Sequence, residues 1–300
     1  MKRARVAVPV ATVWTDPQSV RNVDAPALQR YPDITSWLSS MTEEENIALC
    51  SEKRLQTQVL FGDEVLVDQL RGEWAYVFVP SQPSVKNPLG YPGWIASAHI
   101  KNWVPLTHCT EKVMVHRKFA SLSTLSEEPD LDLSYGTFLD LLDEDGAVVK
   151  VDGPIGAGFL DRGAVIFPSR EPRSSGKDIL KNALCFLNLP YLWSGMSAYG
   201  YDCSGFSFSM LRAGGYQIPR DACDQLCCGK EVGTDSMKPG DLLFFAYKRG
   251  TGKVHHVGIC AGAGRMVHSP TPGEKVSLTE LAGTKFEEEL CAVRRYWESE

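Results

Sequence analysis

The chain has 300 residues and a mass of 33.1 kDa, more than one hydrophobic core usually organises, so two or three domains are expected. Its 43% hydrophobic and 23% charged residues exclude wholesale disorder. A net charge of -6 and a pI near 5.6 argue against nucleic acid as a partner, and no stretch approaches the roughly 18 to 20 apolar residues of a membrane-spanning helix.

The opening MKRARVAVPVATVWTDPQS has the basic start of a signal peptide. Its apolar run is short, broken by Pro9 and without a small-x-small cleavage pattern, so it reads as a first β-strand. Nine cysteines, with Cys227 and Cys228 adjacent, do not resemble an even, regularly spaced disulfide framework. A cytoplasmic location is expected, a removed leader being the route to a secreted or periplasmic one.

Residues 1–105 hold β-like runs, RVAVPVATVW, TQVLFGDEVLVDQLRGEWAYVFVP and GYPGWIASAHI, split by a helical insertion around 15–54. Gly62 and the RGEW stretch mark turns, as in a small β-barrel. Residues 106–170 repeat the theme more loosely, with a hairpin turn at EDG. Pro168 to Lys177 is rich in Pro, Ser, Gly and charge, and reads as a surface linker.

Residues 171–300 change character. DILKNALCFLNLPYLW has helical spacing and stops at Pro190, and a second helix is expected in DCSGFSFSMLRAGG, with Asp202 as its N-cap and Gly214–Gly215 at its end. Strands follow from GDLLFFAYK through HHVGICAGAGRMVHSP to CAVRRYW, so the fold class is α+β.

Cys203 falls at the start of that second helix, where unpaired N–H groups and the macrodipole favour an anion, so a stabilised thiolate is expected. Ser204 and Gly205 keep the first turn small enough for a carbonyl to approach the sulfur, with backbone N–H groups available to an oxyanion. A buried, inert cysteine is the bland alternative. Against it stand His256 and His268, placed symmetrically about Gly262 in AGAG, so that a hairpin there opposes the two imidazoles directly and turns His255 to the other face. One imidazole can then take the thiol proton while the other orients it. A metal held by Cys203, His256 and His268 is disfavoured, because neither CxxC nor HxxxH spacing is present. No metal and no cofactor are expected.

PYLWSGMSAYGYDCSG, then PRDACDQL, then VHHVGIC and MVHSP, in that order and spacing, resemble the NlpC family of bacterial cell-wall cysteine peptidases over about residues 175–300. VPVATVWTDP, LQTQVLFGDEV and GYPGWI extend the resemblance to the YkfC-like branch, in which two bacterial SH3-like domains precede the peptidase domain. The resemblance implies a papain-like domain at 171–300 after SH3-like domains at 1–105 and 106–170. It also implies a γ-D-glutamyl-L-diamino-acid endopeptidase acting on murein peptides, L-Ala-γ-D-Glu followed by diaminopimelate or lysine, in cell-wall turnover and recycling.

Residue by residue, it makes Cys203 the nucleophile, His256 the base and His268 its orienter, with Tyr191 hydrogen-bonding near the sulfur. Substrate contacts fall to Trp193, Asp202, Ser204, Arg220, Asp221 and Tyr91, with a carboxylate such as Asp202 pairing with the free ammonium of L-Ala. Two positions depart from the family pattern: Gln56 stands where an acid is usual, and Ala222 where Ser is common. Both loosen the expected selection for L-Ala. Bland readings make Asp202 a helix cap and Arg220–Asp221 a surface ion pair worth under about 1 kcal/mol. A non-catalytic wall-peptide binder and an N-acetylmuramoyl-L-alanine amidase are the competing functions, and a monomer is favoured.

Overall fold

A computed structural model of the chain describes residues 1–102, 111–124 and 129–297. The expected boundary at 105/106 lies outside the described residues. The chain forms two compact units, the first made of Met1–Ser81, Lys86–Pro172 and Met196–Tyr199, the second of Gln82–Val85, Arg173–Gly195 and Gly200–Glu300.

The first unit contains two seven-stranded antiparallel sheets. One uses Lys2–Val6, Val10–Trp14, Leu55–Leu60, Glu64–Arg71, Trp74–Val79, Tyr91–Ala96 and Ile100–Asn102. The other uses Lys112–Val115, Phe119–Thr124, Leu131–Ser134, Phe138–Asp145, Val148–Gly153, Gly156–Asp161 and Val165–Ile166. With the described strands of each sheet counted from one to seven, both run in the same spatial order, 3-2-6-5-4-1-7. Each also has a 3₁₀ turn before its last strand, Ser97–His99 and Arg162–Ala164. The loose repetition in the sequence is thus one topology written twice.

The opening segment forms two strands rather than one. Lys2–Val6 pairs with Glu64–Arg71 and Val10–Trp14 with Leu55–Leu60, the break falling at Pro9, which has no N–H for a ladder. The insertion carries two capped helices: Asp33 accepts from Ser36 N–H ahead of Ile34–Ser40, and Thr42 and Glu45 form a capping box for Glu43–Ser51. Alternating apolar residues supply each sheet's own core, Val6, Val13, Val59, Val77 and Ile95 in the first and Val113, Leu133, Leu139, Val151 and Leu160 in the second. Phe61, from the first sheet's segment, packs into the second core, and buried Arg5 reaches Asp140 at 2.5 Å.

The second unit sets helices beside a six-stranded antiparallel sheet in the order Lys230–Val232, Leu290–Arg295, Leu242–Ala246, Val254–Gly262, Arg265–His268, Ser277–Glu280. Ser175 and Asp178 form a capping box that starts the helix Gly176–Leu184. The helix Cys203–Ala213 buries Phe206, Phe208, Met210 and Leu211. Phe186 and Phe206 each stand 5.6 Å from the Tyr201 ring, fixing the approach to that helix by aromatic packing. Leu242 to Phe245, Val257 and Ile259 are fully buried, so the central strands are covered on both faces.

Candidate active site

The loop before Cys203 is held by close backbone approach. A Cβ on Gly195 would stand 2.3 Å from the carbonyl oxygen of Gly200, so only glycine allows these segments to meet. The N–H of Asp202 donates to Gly195 O, and Asp202 Oδ1 accepts from Gly205 N–H at 2.6 Å, capping the helix whose first residue is Cys203.

The sequence predicts a stabilised thiolate at this position; the structure reverses that. Burial and the adjacent Asp202 carboxylate push the Cys203 thiol up to about 12, against opposing pulls from the N–H groups of Val257 and Ser204 and from Arg220. Desolvation outweighs the helix dipole, an effect of at most about 2 kcal/mol. The Val257 N–H at the sulfur also places Cys203 beside the residue that follows His256.

His256 Nε2 and His268 Nδ1 are 2.7 Å apart, with the rings edge to face at 81°. The expected direct opposition is not what joins them. The hairpin pairs Ile259 with Val267 and Cys260 with Met266, then shifts at a bulge before Gly262–Arg265. Continued, that register sets His268 across from Gly258, and His256 is its diagonal neighbour on the same face. An added Cβ on Gly258 would lie 3.3 Å from His268 Cβ, so the rings meet over a position with no side chain. His255 is skipped where the ladder with Leu242–Ala246 shifts, and it stacks on Tyr247 at 4.1 Å with Glu289 at 3.2 Å from its Nε2.

Both site histidines are buried, with the Phe286 ring 5.4 Å from His256 and 5.2 Å from His268. Burial holds His256 well below the usual 6.5, helped by His268, His255 and Lys285, and burial then Lys285 take His268 down to about 4. Both rings are therefore neutral at pH 7. His268 Nε2 meets Thr279 Oγ1 at 2.9 Å, and Thr279 Oγ1 lies 3.2 Å from Ser277 Oγ.

Arg220 is only 1% exposed, so it is a core group and not the surface one expected. Its guanidinium grips Asp202 at 2.8 and 3.2 Å and donates to Ser204 Oγ at 2.8 Å. Asp202, Ser204 and Arg220 are thus one buried network. Gln225, unnoticed in the sequence, is buried beneath it and donates to Ser204 O at 3.1 Å and Pro219 O at 2.9 Å. Asp221 occupies the N-cap position of the short helix Ala222–Leu226, and both Asp221 and Ala222 are half-buried. Tyr191 is buried and bridges Tyr201. The indole N–H of half-buried Trp193 is shielded from water without a partner among the described residues.

In the first unit, Gln56 and Tyr91 share Lys86, whose ammonium donates to Gln56 Oε1 at 3.1 Å and to the Tyr91 hydroxyl while sitting 4.1 Å from the Tyr91 ring centroid. Where the family pattern has an acid, this chain pairs an amide with a cation.

The NlpC/P60 family model matches residues 188–295, the segment that carries Tyr191, Cys203, His256 and His268. A Bacillus subtilis protein named gamma-D-glutamyl-L-lysine dipeptidyl-peptidase is 44% identical over 95% of this chain and 96% of its own length. A Bacillus cereus protein of the same name is 35% identical over 98% and 91%. The chain belongs to the NlpC/P60 family. A crystal structure of an NlpC/P60 family protein from Bacillus cereus superposes with a TM-score of 0.94 at 36% identity, covering 98% of this chain and 99% of that one. The likeness therefore runs well beyond the NlpC/P60 domain itself, which is papain-like, with a mostly β framework and a few helices.

Proposed function

We propose that this protein is a cysteine endopeptidase that hydrolyses the γ-D-glutamyl–diamino-acid bond of murein peptides bearing a free N-terminal L-Ala, in cytoplasmic recycling of cell-wall peptides. Two relatives matched over nearly their whole length carry the name gamma-D-glutamyl-L-lysine dipeptidyl-peptidase. The observation that carries the chemistry is the 2.7 Å His256–His268 contact next to a cysteine that opens a helix.

Cys203 passes its proton to His256 and the sulfur attacks the γ-glutamyl carbonyl, the developing oxyanion meeting backbone N–H groups of the helix start. His256 then protonates the departing diamino-acid amine, and water activated by the same ring releases the dipeptide from the thioester. His268 holds His256 in orientation, and Tyr191 hydrogen-bonds near the sulfur. Asp202 pairs with the L-Ala ammonium, its carboxylate held in place by Arg220 and Gly205 N–H, and Ser204 and Asp221 stand among the remaining contacts. Trp193 supplies a donor, and Ala222 is a further substrate contact that the family resemblance assigns. The two seven-stranded modules are read as SH3-like domains, a reading supported by their repeated strand order.

L-Ala-γ-D-Glu-meso-diaminopimelate and its lysine counterpart, incubated with the protein and analysed by mass spectrometry, should yield L-Ala-D-Glu plus the freed diamino-acid part. Cys203→Ala should abolish this while remaining folded. Separation of an intact peptide beginning with L-Ala from its N-acetylmuramoyl group instead would identify an amidase, and unchanged turnover by Cys203→Ala would refute the nucleophile.

A further inference from the structure

The two histidines can carry their protons in two ways, and only one permits catalysis. If His268 Nε2 accepts a hydrogen bond, its Nδ1 must hold the ring proton and donate to His256 Nε2. His256 then keeps its own proton on Nδ1 and has no lone pair to receive one from Cys203. If His268 Nε2 instead bears the proton, its Nδ1 accepts from His256 Nε2–H, and His256 Nδ1 is left as a base. The partner of His268 Nε2 therefore decides whether the pair can act.

That partner is the Thr279 hydroxyl, 2.9 Å away. Thr279 lies on Ser277–Glu280, the strand paired with Arg265–His268, in a register that sets His268 opposite Ser277 and Met266 opposite Thr279. His256, His268 and Thr279 thus follow one diagonal across three strands on a single face. A hydroxyl can donate or accept, but its own proton must go somewhere, and Ser277 Oγ stands 3.2 Å from Thr279 Oγ1 to take it.

We propose that Thr279 is a positioning residue: by donating its proton to Ser277 it accepts His268 Nε2–H, and this fixes the tautomer of both histidines and keeps His256 Nδ1 unprotonated. The chain of donation runs His256 Nε2–H to His268 Nδ1, His268 Nε2–H to Thr279 Oγ1, and Thr279 O–H to Ser277 Oγ. When the thiol proton arrives on His256 Nδ1, the S–H bond breaks, the N–H bond forms, and the charge on the imidazolium is drawn along hydrogen bonds already aligned to receive it. The inference rests on the reading of Cys203 and His256 as nucleophile and base.

The test compares Thr279→Val, which keeps the shape and loses the hydroxyl, with Thr279→Ser, which keeps the hydroxyl. Cleavage of L-Ala-γ-D-Glu-meso-diaminopimelate and ¹⁵N–¹H two-bond spectra of labelled histidines are recorded on both, with Cys203→Ala in parallel. Expected are the Nε2–H tautomer of His268 in the parent, a drop in kcat of about ten- to a hundredfold with little change in KM for Thr279→Val, loss of the single tautomer, and restoration of both by Thr279→Ser. A Thr279→Val protein with parental kcat and tautomer, while Cys203→Ala is dead, overturns the inference alone. So does a fall in kcat with an unaltered tautomer that Thr279→Ser does not repair. An active Cys203→Ala protein overturns the underlying catalytic reading instead.

Discussion

His256 and His268 meet at 2.7 Å along a diagonal of the sheet, across the bare backbone of Gly258 rather than on a shared rung. The geometry of the base thus depends on a side chain that is missing.

Gly258→Ala tests this dependence. Its Cβ would lie 2.6 Å from Met266 Sδ and 3.3 Å from His268 Cβ, so the flexible thioether must yield and the imidazole is crowded. The expected cost in stability is about 1–3 kcal/mol by overpacking, with a larger proportional loss in kcat than in binding. Urea unfolding alongside steady-state kinetics separates the two, and a variant with full kcat would show that the ring pair tolerates the intrusion.

The pH behaviour follows from a neutral resting pair. The thiol is pushed up to about 12 and His256 is held well below 6.5, so neither group ionises near neutrality. Activity is expected to persist as pH falls below 6.5 and to fail only when His256 gains a proton. Alkylation of Cys203 by iodoacetamide, which needs the thiolate, should accelerate steadily from neutral to alkaline pH. Peptide mapping distinguishes Cys203 from exposed thiols such as Cys227 and Cys228. A fast plateau of Cys203 modification below pH 7 would instead reveal a preformed thiolate–imidazolium pair. Stability shifts in the same sense: unfolded histidines bind protons below about 6.5 while folded His268 waits until about 4, so stability present above 6.5 drains away as pH falls towards 4.

The buried Arg220–Asp202 pair should behave as a unit. Arg220→Met strands a carboxylate that is 6% exposed, at an expected cost of about 3–5 kcal/mol, whereas adding Asp202→Asn should recover part of the loss. A double-mutant cycle by chemical denaturation measures the coupling; strictly additive losses would mean that the two charges do not depend on each other.

Local signals carried much of this architecture. Asp202 as a cap, Cys203 at the first helical position and the turns at Gly72 and Gly146 all follow from short-range chemistry visible in a few adjacent residues. What escaped depends on register and burial. The hairpin turns at Ala263–Gly264 rather than about Gly262, and the bulge between Cys260 and Gly262 then sets His268 across from Gly258 instead of Ile259; neither step is announced by residue type. Arg220 finds Asp202 eighteen positions away, because a buried carboxylate needs a cation. Thr279 reads as an unremarkable strand residue until the sheet brings it to His268. The thiolate expectation failed for the same reason: a helix start is legible in sequence, but the desolvation of a sulfur is not.

The doubled strand order of the first unit separates threading from loop length. In the first copy, long stretches separate Trp14 from Leu55 and Val79 from Tyr91, while in the second Gly153 and Gly156 are joined by a tight turn. The two copies differ in connection length without the rethreading of a single strand. The strand order itself is indifferent to how long those connections are, so length variation among kin should gather at the same two places.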